Sequence, residues 1–261
     1  MPAPVRRSAD WIAVAPPPSG GWGPWLRGVY DRLLAHFGYQ QWWPAETAFE
    51  VIVGAYLTQN IAWSNVDRAI RALRGAGLLE PAALHSAPPE LVETLIRPAG
   101  YFRQKTRRLK AFLDHLFTCY GGDLQALLRR PADELRGELL TLPGVGPETA
   151  DSILCYAAGR PVMVVDAYTR RTFHRLGAFT GPDTPYDAMQ AFFHAHLPRD
   201  GVLLGDFHAQ IVALGKEICV SRQPRCDACP LADVCAYPRE RRAAAGGELV
   251  GTADRDHVQA R

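Results

Sequence analysis

The sequence predicts an all-α protein. Apolar residues recur at three- and four-residue spacing in nine segments between residues 25 and 219, the period of helices that bury one face. Strand-like alternation is almost absent, the nearest candidate being PVMVV at 161–165. Short connectors carrying Pro and Gly, such as RPAGYF and TLPGVGPE, separate the periodic segments. No unit of 20 to 50 residues repeats, which argues against a solenoid.

In chain order, the helical pattern covers WLRGVYDRLLAHF, then FEVIVGAYLTQNIAWSNVDRAIRAL as one long stretch, then LVETLI, TRRLKAFLDHLF and ADELRGELLTL. It resumes in TADSILCYAAG, where Pro147 suits a first helical turn because its missing N–H has no partner there to lose. AYTRRTFHRL, YDAMQAFFHAHL and FHAQIVALGKEIC complete it. Residues 1–24 are rich in Pro and Gly, and residues 238–261 show no sustained apolar period, so both ends are expected to be mobile.

A chain of 261 residues can bury a sizeable core in one or two domains. Neither a run of about 18 apolar residues nor the apolar stretch of a secretory signal is present, so a cytoplasmic protein without a membrane partner is expected. The formal net charge of +2 fits nucleic-acid binding only weakly. More telling, Lys105, Lys110 and Lys216 are the only lysines, which leaves few amines for covalent chemistry.

Four of the six cysteines, Cys219, Cys226, Cys229 and Cys235, lie in CVSRQPRCDACPLADVC with six, two and five residues between them. Thiolates so closely spaced in a cytoplasmic protein suit a metal site, and the spacing alone fits tetrahedral zinc or an iron–sulfur cube equally. Cys119 and Cys155 fall in apolar helical segments and are expected to be small buried hydrophobes.

ADELRGELLTLPGVGPETADSILCYAAG reads as helix, tight turn, helix. Gly144 and Gly146, flanking Val145, let a backbone approach a ligand closely, and such a turn before a helix N-terminus can aim N–H groups at a phosphate. The plain alternative is a helix–helix turn whose glycines only allow packing. Asp166 follows PVMVV and precedes a helix; it can serve as an N-cap, and a capping carboxylate can still offer its other oxygen to a pocket.

Together and in this order, LPGVGPETA, VVDAY, TQN at 58–60 and the terminal cysteine spacing resemble the endonuclease III branch of the helix-hairpin-helix DNA glycosylases, over about residues 25–237. The resemblance implies two helical domains with a DNA-binding cleft between them: a six-helix domain at 40–160 carrying the hairpin, and a domain from 25–39 plus 161–237 ending in a 4Fe–4S cluster held by the four cysteines. It implies a base-excision repair enzyme acting on double-stranded DNA, as a monomer associated with the nucleoid. Such enzymes flip a damaged nucleotide out of the duplex to reach its glycosidic bond. Gln59 would fill the hole left by the flipped base, Tyr101 or Phe102 would form a second wedge, and Lys105 would lie in a DNA-contacting loop.

Asp166 matches the branch's catalytic aspartate, which stabilises positive charge on the sugar as the base departs and helps activate the attacking group. Bifunctional members use a lysine in the second hairpin helix to form an imine and cut the strand. This chain has Glu148 there, which implies a monofunctional glycosylase using water, with Lys216 the remaining amine near the cleft in relatives. A finer resemblance, to bacterial 3-methyladenine glycosylases of the endonuclease III type, rests on YQQWWPAETAFEVIVGAYLTQNIAW, RPAGYFRQKTRRL, ETADSILCYA and VMVVDAY. It implies that Trp42, Trp43, Pro44 and Trp63 wall a pocket for an alkylated purine, whose positive charge favours stacking on electron-rich rings. A weak bifunctional glycosylase and abasic-site lyase on oxidised pyrimidines is the enzyme alternative, and a damage-binding protein with little catalysis is the other.

Overall fold

In the computed structural model, residues 18–180 and 183–237 are described; the outer parts of both termini expected to be mobile lie outside them. Twelve α-helices carry most of the regular structure among the described residues, and none of them is long and apolar enough to cross a membrane. They are α1 (Trp22–Phe37), α2 (Ala48–Leu57), α3 (Trp63–Gly75), α4 (Pro81–Ser86), α5 (Pro89–Leu95), α6 (Phe102–Tyr120), α7 (Leu124–Leu128), α8 (Ala132–Leu140), α9 (Pro147–Ser152), α10 (Ala167–Arg175), α11 (Tyr186–His196) and α12 (Gly201–Glu217). Helix α1 begins inside the N-terminal segment read as irregular, and PVMVV forms no strand.

The described residues fall into two compact units. One lies within Met1–Gln40, Val165–Leu197 and Phe207–Arg261, the other within Gln41–Val164 and Pro198–Asp206. In the second, α2 is apolar on nearly every side and buries Phe49 through Leu57, so it forms the axis of the core. Ile52, Val53, Tyr56 and Leu57 pack there with Leu109, Phe112, Leu113 and Leu116 of α6 and Ile153 and Leu154 beyond α9. Thr47 caps α2 by accepting the Glu50 N–H at 3.1 Å, while Glu50 Oε2 accepts the Glu46 N–H, much as in a capping box.

The stretch 49–73, read as one helical pattern, is two helices. Thr58 Oγ1 donates back to the Gly54 carbonyl at 2.6 Å, and Asn60 turns to φ 56°, so the chain leaves α2 and re-enters a helix at Trp63. Cys119 also departs from expectation. It is exposed while Cys155 is buried: it continues the stripe of Lys105, Leu109, Phe112 and Leu116 but falls in the last turn of α6, beyond the buried part of that stripe.

The first unit is built on aromatic edges. Phe173 of α10 meets Phe193 of α11 at 4.7 Å between centroids, Phe179 meets Phe192 at 5.0 Å, and Tyr30 of α1 meets Phe207 of α12 at 5.5 Å, all edge to face. Gly215 is required here, because the Tyr168 ring fills the space a Cβ would need.

Candidate functional site

The hairpin follows from local chemistry. Leu142 and Val145 are buried and anchor the turn, while Pro143, Gly144, Gly146, Pro147 and Glu148 are exposed. The Val145 N–H closes the turn onto the Leu142 carbonyl at 3.1 Å. Gly144 sits at φ 77° with the Arg108 side chain against its Cα, so any side chain there would be strained and would displace Arg108. Beneath the turn, Arg136 of α8 donates to both oxygens of Asp151, at 2.8 and 3.2 Å, and fixes the two helices to each other; Asp151 is fully buried. Glu148 occupies the first turn of α9, where the helix end favours a negative charge.

Next to the hairpin, the loop after α2 is tied down from two directions. Gln59 donates from Nε2 to the Gly144 carbonyl (2.9 Å) and to Thr149 Oγ1 (3.1 Å), and its Oε1 accepts from Arg108 at 2.6 Å. The amide read as a wedge is therefore engaged with the hairpin, and its exposed neighbour Asn60, in a left-handed conformation, is the residue the loop presents. Sequence reasoning passed over Asn60; the signal was there, since Asn tolerates positive φ better than most residues.

Lys105 is not in a DNA-contacting loop. It lies on α6, 2 % exposed, and its Nζ donates to the carbonyls of Leu57 (2.8 Å), Gln59 (2.9 Å) and Ala99 (2.8 Å). Burial, with Arg108 nearby, pushes its amine down to about 8, so it remains charged at neutral pH. It joins the loop presenting Asn60 to the turn preceding Tyr101. Lys110 is used the same way, donating to the carbonyls of Leu84, His85 and Ala87 at the end of α4. The two aromatics after Gly100 separate clearly: Tyr101 is 72 % exposed with φ 46°, whereas Phe102 packs on the core with Arg97 and Arg103 against its ring.

Trp42, Trp43 and Trp63 form one cluster, with centroids 5.1 to 5.4 Å apart. Tyr156, which sequence reasoning missed, joins it 5.5 Å from Trp43 and donates its hydroxyl to the Gly205 carbonyl at 2.9 Å. It stands on a single π-helical turn, Ile153–Ala157, directly after α9. Gly54 is the complement to this cluster, because the Trp43 indole occupies the position its Cβ would take. Trp43, Pro44 and Trp63 line a pocket of about 90 Å³ with Glu50, Asp67, Ile70 and Arg74, in which Arg74 pairs with buried Glu50 at 2.6 Å. Trp42 touches the other two indoles from outside that lining.

In the other unit, Asp166 is the N-cap of α10. Its Oδ1 accepts from the Thr169 N–H (2.7 Å) and Thr169 Oγ1 (2.9 Å), and its Oδ2 lies 3.5 Å from His208 Nε2. The side chain is 13 % exposed. Burial pushes its carboxyl up, but His208 and the Thr169 hydrogen bonds outweigh that and hold it below the usual carboxylate range. His208 was not foreseen, since a lone histidine on an apolar helix carries no pattern. Lys216 is exposed in the last turn of α12.

Cys219, Cys226, Cys229 and Cys235 line one pocket together with Arg175, Ile218, Pro224, Ala232 and Tyr237. Arg175 donates to Cys219 Sγ at 3.3 Å and lies over the Tyr237 ring, and Arg171 donates to the Cys219 carbonyl at 2.9 Å. Burial pushes the Cys235 thiol up to about 11 and raises that of Cys229, so ionising these two calls for a cationic centre to pair with. No group of three or more His, Cys, Asp or Glu among the described residues converges tightly enough for a single ion. Four thiols around one pocket suit a larger group, with Arg175 offsetting its charge.

The family model for HhH-GPD superfamily base excision DNA repair proteins matches residues 53–194, just over half the chain. A protein of Methanocaldococcus jannaschii, provisionally named a DNA repair glycosylase, is 43 % identical over 79 % of this chain and 94 % of its own. An endonuclease III of Thermotoga maritima is 33 % identical over 74 % of this chain and 84 % of its own. The crystal structure of an H. pylori 3-methyladenine DNA glycosylase bound to 1,N6-ethenoadenine superposes with a TM-score of 0.65 at 26 % identity, covering 74 % of this chain and 96 % of the other. The chain belongs to the HhH-GPD superfamily of base excision DNA repair proteins.

Proposed function

We propose that the protein is a monofunctional DNA glycosylase that releases an alkylated purine from duplex DNA with water as the nucleophile. The observation that carries this reading is the state of Asp166. A carboxylate held ionised by His208 and Thr169 cannot serve as an acid at neutral pH, but it stabilises the positive charge that grows on the sugar as the base leaves. An alkylated purine needs little acid catalysis, because it departs as a neutral base from a cationic one. Its charge also suits a cluster of three indoles and Tyr156, and each cation–π contact contributes about 0.5–2 kcal/mol.

The amine inventory supports water. Glu148 cannot form an imine, and Lys105 and Lys110 are each committed to three backbone carbonyls. On the DNA side, the exposed turn at Gly144 and Gly146 would hold a backbone phosphate. Asn60 and Tyr101 would enter the duplex beside the flipped nucleotide, Asn60 in the place first given to Gln59. The four cysteines would hold a 4Fe–4S cluster, which contributes a covalent brace to the C-terminal loop.

A second reading, a bifunctional glycosylase and lyase on oxidised pyrimidines, draws support from the similarity to the Thermotoga endonuclease III and from exposed Lys216. Incubation with duplexes carrying an alkylated purine, an oxidised pyrimidine or an abasic site, with and without borohydride, separates the readings. Release of the purine without a trapped adduct is expected. A trapped adduct overturns the monofunctional claim, and binding without release from any duplex points to a damage-binding protein.

A further inference from the structure

Away from all of these groups, on the surface formed by α6 and α8, stands a second constellation that DNA repair does not use. Cys119 is exposed, and its Sγ lies 3.7 Å from Nδ1 of His115, one turn earlier on α6. The other ring nitrogen, His115 Nε2, is 2.6 Å from Glu138 Oε1 on α8. Glu138 is fixed in turn: the Tyr120 hydroxyl donates to it at 2.7 Å, and the Arg130 guanidinium lies 3.1 Å from its Oε2. His115 and Glu138 side chains are 22 % and 16 % exposed, so the pair is shielded while the thiol faces solvent.

The proton positions follow from the acceptor chemistry. An ionised carboxylate can only accept, so Nε2 carries the hydrogen and donates to Glu138. When the ring is neutral, Nδ1 presents a lone pair and the Cys119 S–H is the donor facing it. Moving that proton onto His115 gives a thiolate beside an imidazolium whose far side is already paired with Glu138. A nucleophile, a base in contact with it, and a third group orienting the base form the general arrangement of an activated thiol.

We infer that Cys119 is a nucleophilic thiol site, with His115 as its base and Glu138 as the orienting acid, that exchanges with low-molecular-weight disulfides. In the exchange His115 takes the Cys119 proton, and the thiolate attacks one sulfur of the small disulfide. A bond forms between Cys119 Sγ and that sulfur, the original sulfur–sulfur bond breaks, and the departing thiolate collects the proton from His115. Cys119 ends as a mixed disulfide and one equivalent of small thiol is released. The site lies at the far end of α6, about 27 Å along the helix axis from Tyr101, so the modification leaves the loops at the other end uncovered.

The test uses the full-length protein and 2,2′-dithiodipyridine, an uncharged disulfide, at pH 6, with peptide mass mapping to identify the labelled cysteine. Because nucleophilicity falls as a thiol becomes more acidic, a hundredfold gain in thiolate speeds exchange by only about tenfold. His115→Gln is therefore expected to slow labelling of Cys119 by about tenfold while labelling of other cysteines is unchanged. A comparison needing no variant runs alongside: native Cys119 should react faster than the same cysteine in urea-unfolded protein. Equal rates in wild type and His115→Gln, or a native rate at or below the unfolded one, overturns the inference.

Discussion

Replacing Lys105 with methionine keeps most of the stem's volume and deletes the ammonium that joins three backbone segments. Of the three carbonyls it serves, those of Leu57 and Ala99 are in buried contacts and that of Gln59 is partly buried. Each buried acceptor left without a donor costs about 1–3 kcal/mol. Relief from holding a charge inside the protein offsets part of this, so the net loss should be about 3 kcal/mol. For a protein of this size that corresponds to a fall in Tm of roughly 6–12 °C, read by circular dichroism. The variant should also bind damaged duplex more weakly at a temperature where it remains folded, because the segments presenting Asn60 and Tyr101 lose their common anchor. A Tm within about 2 °C of wild type refutes the argument.

Four further outcomes are expected. Asp166→Asn should reduce base release by about 10²–10³-fold while DNA binding is retained, and unchanged turnover would remove Asp166 from the mechanism. Because the native Asp166 carboxyl titrates below its ordinary range, its contribution to stability is complete above the unfolded-state pKa and is lost as pH falls through the native one; wild type and Asp166→Asn should therefore converge in stability only in acid. Tyr101→Ala should slow excision with Tm almost unchanged, since the ring is 72 % exposed; a matching loss of stability would assign the ring to packing instead. Purified protein should contain iron rather than zinc and absorb near 400 nm, and alanine at Cys226 should abolish that absorption along with stability of the C-terminal loop.

Some of this was legible in the residues and some was not, for physical reasons. Pro147 at a helix start, glycine at the Gly144 turn and Asp166 as an N-cap are local rules, satisfied within a few residues of chain. The halves of the 49–73 stretch share one apolar period, so nothing in the pattern marked the break that Thr58 and Asn60 make. Lys105 was expected in a DNA-contacting loop, because it precedes the periodic stretch TRRLKAFLDHLF, whereas α6 already begins at Phe102. Its true partners, the carbonyls of residues 57, 59 and 99, are backbone atoms that no composition reveals. Cys119 was misplaced for a different reason: its apolar neighbours and helix phase suggested burial, and only its place in the last turn of α6 leaves it outside. His208 and Tyr156 depend on tertiary placement altogether.

The π-helical turn at Ile153–Ala157 sets a constraint on length rather than on residue type. Such a turn holds one residue more than an α-helix needs, and a regular helix advances 100° per residue. Removing one residue among 153–155 would let the helix close into α register at little cost in backbone hydrogen bonding. It would also swing Tyr156 about a quarter-turn away from Trp43 and from the Gly205 carbonyl. A change in the number of residues in this one turn would therefore redraw the wall that Trp43 and Tyr156 share, whatever residue types stand in it.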